Sequence, residues 1–218
     1  MGQKVHPYGY RLAVLYDWKS RWFFVDKKDY KNNLLVDIKI REFLMQNYYF
    51  ANLVNVEIER GINSLKLILY AVKPGMIIGK GGKGLEELSQ KVIKIIEKTT
   101  KQRFNKKNMP KIDIKIEQVK KPYLNAYFVA QTIAERLIKN FPHRAAVHFA
   151  IDRVMEAGAK GVRVRLAGRI NGAAIARSEK FSEGNVPTST IRERISYAEY
   201  PALLPRSGYV GIKVWIAE

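Results

Sequence analysis

A short stretch rich in glycine and lysine has the residue types that suit phosphate binding. It consists of Gly79, Lys80, Gly81, Gly82 and Lys83. Because glycine has no Cβ atom, the backbone there can approach a sugar-phosphate chain closely. Amides at the start of a following helix would face the anion, and the helix dipole favours negative charge at that end. The pattern therefore predicts an anion-binding loop, to which the two lysines add positive charge.

Two nucleotide-binding motifs compete for these glycines, and spacing tests both. A Walker A loop has four residues between its glycines, but three residues separate Gly75 from Gly79. A dinucleotide-binding G-x-G-x-x-G loop matches Gly79, Gly81 and Gly84. That loop, however, leaves a strand directly and meets an acidic residue roughly 20 positions later. Residues 99–103 contain no acid, which disfavours this interpretation.

A third interpretation is the KH module, whose G-x-x-G loop clamps about four backbone nucleotides. The module expects an apolar pair before the loop and an apolar residue three positions after it. Ile77, Ile78 and Leu85 meet that expectation. The plain alternative is a glycine-rich helix entry without a ligand, but two lysines among four glycines favour binding of RNA.

The composition favours a polyanionic partner. The chain has 218 residues, enough for two domains, and its net charge of +19 exceeds what solubility requires. The absence of cysteine excludes disulfides, thiol catalysis and cysteine zinc sites. No apolar run approaches the roughly 20 residues of a membrane span, and no secretory pattern opens the chain. We expect a cytoplasmic or organelle-interior protein without membrane contact.

Hydrophobic periodicity predicts the elements that position the loop. In order, we expect an extended arm over 1–28, a helix over 29–49, a hairpin over 54–70, a helix from Leu85 to Ile96 and a strand over 112–116. Helix, two strands, helix-loop-helix and strand is the order of a type II KH fold, which predicts an RNA-binding domain over 29–121.

The remainder, 122–218, predicts a second domain of the α+β class. Apolar stripes indicate helices over 126–141 and 143–157, and alternation indicates four strands over 162–166, 174–181, 191–197 and 210–216. We expect a four-stranded antiparallel sheet with the two helices on its apolar face. The opposite face would carry Arg163, Arg165, Arg192, Arg194 and Lys213.

Such a row of like charges on adjacent strands destabilises a sheet. A compensating anion would relieve the repulsion, and the planar guanidinium suits phosphate. Solvated arginines are the plain alternative. The same two alternatives apply to Lys4 and His6 in the arm, and to Lys106 and Lys107 between helix and strand.

The chain lacks a recognisable catalytic constellation. Its histidines are His6, His143 and His148, and the last two are five residues apart, off a shared helix face. No serine or aspartate spacing nominates a nucleophile. We therefore expect a protein that is not an enzyme and that needs no cofactor or metal.

Five sequence blocks in this order resemble the bacterial-type small-subunit ribosomal protein S-three family. They are MGQKVHP at 1–7, PG and IGKGG within 74–82, GAKG at 158–161, GR and ARSE within 168–179, and GIKVWI at 211–216. The resemblance implies a structural protein of the small-subunit head. Its partners would be small-subunit rRNA, neighbouring head proteins and mRNA at the entry channel.

The resemblance also implies basic residues that touch incoming mRNA in the opening turns of the second C-terminal-domain helix. Arg144 matches, but His143 precedes it and Val147 stands where a lysine is usual. Together, pattern and resemblance nominate these RNA-binding residues: Gly79, Lys80, Gly81, Gly82, Lys83, Lys106, Lys107, Arg144, Arg163, Arg165, Arg169, Arg177, Arg192, Arg194, Lys4 and His6. A free-standing KH regulator of RNA and a dinucleotide-dependent enzyme remain as alternatives.

Overall fold

The computed structural model describes residues 5–61, 64–100, 111–205 and 208–218. Within them the chain forms two compact units. The first unit comprises Trp18–Lys120, and the second comprises Lys121–Glu218 with the described part of Met1–Asp17. None of the helices in the described residues is long and apolar enough to cross a membrane.

The helices and strands are numbered in chain order. The helices are α1 (Pro7–Tyr10), α2 (Lys27–Asn47), α3 (Gly75–Ile78), α4 (Lys83–Thr100), α5 (Ala126–Ile138) and α6 (His143–Glu156). The strands are β1 (Ser20–Arg21), β2 (Leu53–Arg60), β3 (Ser64–Ala71), β4 (Lys111–Gln118), β5 (Gly161–Gly168), β6 (Arg177–Gly184), β7 (Ile195–Leu204) and β8 (Gly208–Ala217). The predicted α+β class is confirmed.

The first unit contains a four-stranded sheet in the order β1-β2-β3-β4. β2 and β3 form the predicted antiparallel hairpin, and β1 and β4 add in parallel at the edges. α2 and α4 pack on this sheet because each has an apolar stripe at helical spacing. The buried stripe residues are Val36, Ile40, Leu44, Leu88, Val92 and Ile96.

The second unit contains an antiparallel sheet in the order β6-β5-β8-β7. The alternating apolar residues of β5 and β8 point to the core, where they meet the stripes of α5 and α6. Asn125 caps α5 by accepting a hydrogen bond from the Tyr127 amide at 2.9 Å. Because α5 and α6 lie on one face of this sheet, neither helix covers the other face, which we call the open face. This arrangement confirms the predicted two-helix, four-stranded domain.

Three predicted boundaries in the second unit were wrong. α5 ends at Ile138, so Phe141 lies outside the stripe and is exposed. β6 begins at Arg177 and extends to Gly184, three residues later than predicted. β7 begins at Ile195, opposite Ala217, because its partner strand β8 ends there. Arg192 and Arg194 therefore precede the strand and do not belong to the sheet face.

The described part of the predicted extended arm differs from that prediction, because it contains α1 and β1. In the second unit, the fully buried Arg11 donates to the carbonyl oxygens of Glu193 at 2.7 Å and Thr190 at 2.7 Å. In the first unit, the buried Asp37 accepts from Trp22 Nε1 at 2.7 Å and from Arg60 Nε at 2.9 Å. Each unit thus holds its share of the N-terminal segment through a buried charged group.

Candidate nucleic-acid interface

The glycine loop, residues 79–82, joins α3 to α4. Gly79, Gly81 and Gly82 have φ angles of 70°, 63° and 80°, which glycine adopts without a steric cost. A Cβ atom on Gly84 would lie 2.3 Å from the Ile77 carbonyl oxygen, so this glycine lets the start of α4 pack against α3. The glycines serve two purposes: three set the turn, and Gly84 permits the close helix contact.

The side chains around the glycine loop divide between core and surface. Ile77 is buried in the core of the first unit, whereas Met76 and Ile78 are exposed. Lys80 and Lys83 are also exposed, at the N-terminal end of α4. Bases can lie on the exposed apolar side chains. Phosphates can bind at the lysines and at the N-terminus of α4. Met76 was not among the residues that the sequence nominated. The helical spacing of α3 could have shown that Met76 and Ile77 lie on different sides of the helix.

The open face of the second unit's sheet carries three basic residues abreast. Strand register places Arg165 directly between Lys213 on β8 and Lys180 on β6, and we call these three residues the cation row. Like charges this close repel one another. Lys180 was not among the sequence-based candidates, although its alternation with Phe181 could have indicated it.

One acidic residue of the same face partly neutralises the cation row. Glu199, opposite Lys213, accepts a hydrogen bond from its Nζ at 2.8 Å and another from the Tyr197 hydroxyl. The hydrogen bonds from Lys213 and Tyr197 hold the pKa of Glu199 below its usual value. Arg165 donates from Nε to Ser178 Oγ at 2.9 Å, which fixes the guanidinium without reducing its charge. Arg165 and Lys180 therefore keep their positive charge on this face.

Arg163 and His6 lie near the other end of the open face. Arg163 is half-buried between Trp215 on β8 and Ser182 on β6. The His6 ring meets Tyr197 edge-on at 4.9 Å, and its Nδ1 accepts from the Gly9 amide at 3.4 Å. His6 thus caps α1 on this face.

The opening turn of α6 arranges its residues differently from what the sequence suggested. His143 is buried, and its Nε2 lies 2.8 Å from Glu179 Oε2. Val147 is completely buried. Positions 143 and 147 therefore face the interior of the second unit. Arg144, Ala145 and His148 are exposed, and Arg144 and His148 lie four residues apart on one helix face.

Glu179 links α6 to the start of β6. Its Oε1 lies 2.8 Å from Arg177 Nε. Burial raises the pKa of Glu179, but the hydrogen bond from His143 and the charges of His143, Arg177 and Arg144 outweigh it, so the net shift is downward. The carboxylate thus forms an ion pair with Arg177 and lies within electrostatic range of Arg144.

The remaining candidates occupy turns or lie outside the described residues. Arg169 donates from Nε to the Ala173 carbonyl at 2.8 Å across a tight turn. Arg192 and Arg194 are exposed ahead of β7. Lys4, Lys106 and Lys107 lie outside the described residues. Among the described residues, no group of three or more histidine, aspartate or glutamate side chains could hold a metal ion.

An α+β unit with a glycine loop at a helix N-terminus, followed by a sheet with a basic open face, defines a class of RNA-binding protein. Residues 39–124 match the KH domain family, and residues 133–216 match the family described as Ribosomal protein S3, C-terminal domain. The KH interpretation of the loop thus prevails over the nucleotide-binding motifs.

Full-length relatives narrow this class to one family. The "Small ribosomal subunit protein uS3" of Clostridium botulinum (strain Okra / Type B1) is 42% identical over 216 residues, which cover 99% of this chain and 91% of the relative. Those of Caldanaerobacter subterraneus subsp. tengcongensis and Clostridioides difficile (strain 630) are also 42% identical over 99% of this chain, covering 91% and 75% of the relatives. The chain belongs to the uS3 family of small ribosomal subunit proteins.

Proposed function

We propose that this chain is a structural constituent of the small ribosomal subunit that binds rRNA in the head and lines the mRNA entry channel. Family membership supports the ribosomal role. The cation row is the observation that carries the RNA-binding role, because Arg165 lies between two lysines and one carboxylate offsets them. Phosphates would supply the missing negative charge.

The glycine loop is proposed to hold the backbone of a second stretch of RNA. Lys80 and Lys83 would meet phosphates, and the exposed Met76 and Ile78 would lie under bases. The loop's turn does not depend on a ligand, because the glycine φ angles already define it. Such a preformed clamp binds without a large ordering cost.

Arg144 is proposed as the mRNA contact of the second unit. It is exposed in the first turn of α6, where the helix N-terminus adds about half a positive charge. His143 and Val147 have no part in the contact, because they are buried. One exposed arginine beside the half-buried Glu179 makes a weak clamp.

Neighbouring head proteins are proposed to dock on α2. Tyr30, Leu34 and Ile38 follow one another at intervals of four residues and are all exposed. Phe23 and Val25, ahead of α2, are more exposed still. A contiguous exposed apolar surface of this kind marks a protein interface.

The Arg144 proposal predicts slower passage through mRNA structure when this arginine is removed. Ribosomes carrying Arg144→Ala should take longer to translate through a stable mRNA hairpin, by about twofold for the loss of one exposed charge. Single-ribosome transit times would measure this, and Arg153→Ala, later on the same helix, is the matched control. Unchanged transit times would restrict this helix to an architectural role. His143→Lys is unsuitable here, since it would bury a charge.

Cosedimentation tests the proposed function as a whole. The tagged protein should remain with small subunits after a high-salt wash, since a structural constituent has many simultaneous contacts. A protein that binds isolated RNA but washes off the subunit would instead be a free-standing KH regulator. A protein that does neither would contradict the proposal outright.

A further inference from the structure

The open face of the second unit continues from the cation row onto a floor of small residues. Strand register places Pro201, Gly211, Ala167 and Ser178 side by side across all four strands, and we call them the small-residue row. All four are exposed. Because none has a long side chain, a flat ligand can lie directly against the sheet there. The Arg165 guanidinium reaches one end of this row, where its Nε donates to Ser178 Oγ.

Beyond the small-residue row, Tyr209 and Leu203 form a cross-strand pair. Their exposures are 69% and 55%, so the Tyr209 ring offers most of its area to solvent. Successive rows on one face are two residues apart, or about 7 Å. The face therefore presents, over about 14 Å, an aromatic ring, a flat floor and a line of cations. That sequence of surfaces corresponds to the base, sugar and phosphate of a polynucleotide.

We propose that this face is a stacking platform for single-stranded RNA. A base stacks on Tyr209, the sugar lies on the small-residue row, and phosphates meet Arg165 and Lys180. The proposal rests on the proposed RNA-binding function and adds the mode of binding and the residue that reads unpaired bases. The proposed contact thus includes Tyr209 and the small-residue row, which the sequence did not nominate, in addition to the pairing of arginine with phosphate.

Charge identifies RNA as the occupant of the face. Among the described strand residues there, Glu199 is the acidic one, and Lys213 already binds it. Arg165 and Lys180 therefore present positive charge to whatever ligand binds there. An apolar or basic protein surface would not offset that charge. Stacking accepts any base, so the site should prefer single strands without preferring a sequence. A duplex cannot place a base on Tyr209, because its bases are already stacked.

Binding of labelled single-stranded oligouridine to the full-length protein tests the platform. The Lys80→Asp, Gly81→Asp double variant is the background, so that the glycine loop contributes little. In that background Tyr209→Ala should weaken binding about tenfold at every salt concentration, and Tyr209→Phe should bind normally because it keeps the ring. Phe50→Ala, which removes a 48% exposed aromatic from the first unit, should have no effect. A matching RNA duplex should bind equally to all variants.

Cross-linking gives an independent test. Oligomers with 4-thiouridine should form a photo-cross-link to the peptide that contains Tyr209, and Ala167→Glu should suppress it by placing negative charge on the floor. Normal oligouridine affinity of Tyr209→Ala would overturn the platform. Normal RNA binding by both Tyr209→Ala and Ala167→Glu, together with poorer retention on small subunits, would also overturn the platform. That result would make this face a protein-docking surface. If the wild-type protein fails to cosediment with subunits yet shows Tyr209-dependent binding, the ribosomal function fails and the platform stands.

Discussion

The glycine loop and the cation row present positive charge in two different ways. In the loop, backbone conformation dominates: three glycines with positive φ shape a turn, and two exposed lysines lie beside it. In the row, strand register dominates, and Glu199 and Ser178 hold two of the cations in place. The loop should therefore be sensitive to changes in backbone, and the row to changes in charge and salt.

The largest effect is expected where the loop's backbone is blocked. Gly84→Ala would place a Cβ atom 2.3 Å from one backbone oxygen and 2.8 Å from another. Separating α3 from α4 should cost about 1–3 kcal/mol of stability and lower RNA affinity with it. Thermal unfolding would measure the first effect and RNA titration the second. Gly75→Ala is the matched control, since it has no atom within 4 Å of the added Cβ and should be neutral.

Reversing the loop's charge should affect binding alone. Lys80→Asp combined with Gly81→Asp should weaken single-stranded RNA binding on the order of tenfold, while the fold persists because both positions are exposed. Aspartate tolerates the φ of 63° at position 81 better than most residues. Affinity equal to that of the wild type, with an unchanged circular dichroism spectrum, would remove the loop from the interface.

Salt dependence separates the members of the cation row. Arg165→Gln and Lys180→Gln should each reduce the slope of log K against log salt by roughly 0.7–0.9. Lys213→Gln should reduce it less, because Glu199 already neutralises that lysine. Titrations of the full-length protein between low and moderate salt would give the slopes. Equal reductions of the slope for all three variants would show that Glu199 does not weaken the contribution of Lys213. Unchanged slopes for all three would show that the residues of the cation row are solvated and contact no phosphate.

The smallest effect is a pH dependence from Glu199. Its folded-state pKa is lowered, so its stabilisation is present above the unfolded pKa and is lost as pH falls through the folded value. Since the ion pair is half-exposed, we expect less than about 1 kcal/mol. Unfolding temperatures of wild type and Glu199→Gln should converge as the pH drops below about 4. Parallel curves down to acid pH would show that this carboxylate contributes nothing to stability.

The periodicity of apolar residues predicted most of the helices and strands, because the spacing of these residues along the chain differs between the two. Val36, Ile40 and Leu44 identify α2, and Leu88 and Val92 identify α4, all buried as expected. Strand ends were harder to predict. Arg192 and Arg194 lie between Ile191 and Ile195, a spacing that a strand would also show, yet β8 ends too early to pair with them. Local pattern cannot reveal where a partner strand stops.

The candidate site was predicted unevenly. The glycine loop was recognisable because φ requirements and charge act within a few residues. The cation row was only partly visible in the sequence: Arg165 and Lys213 could be assigned to the open face, but Lys180 could not be paired with Arg165 before the register was known. His143 is the opposite case. An N-terminal helix position suggests exposure, and only packing against Glu179 made it interior.

By itself, the sequence determined the α+β class, the glycine loop and the high net positive charge, because these follow from composition and short-range spacing. The tertiary structure decided which charges stand together. Arg11 and Arg165 are both arginines in strongly basic surroundings, yet one is fully buried against carbonyl oxygens and the other is exposed between two lysines. Four of the carbonyl groups that accept hydrogen bonds from Arg11 lie 176 to 182 residues away in the chain. Contacts of that range arise only when the sheet has formed.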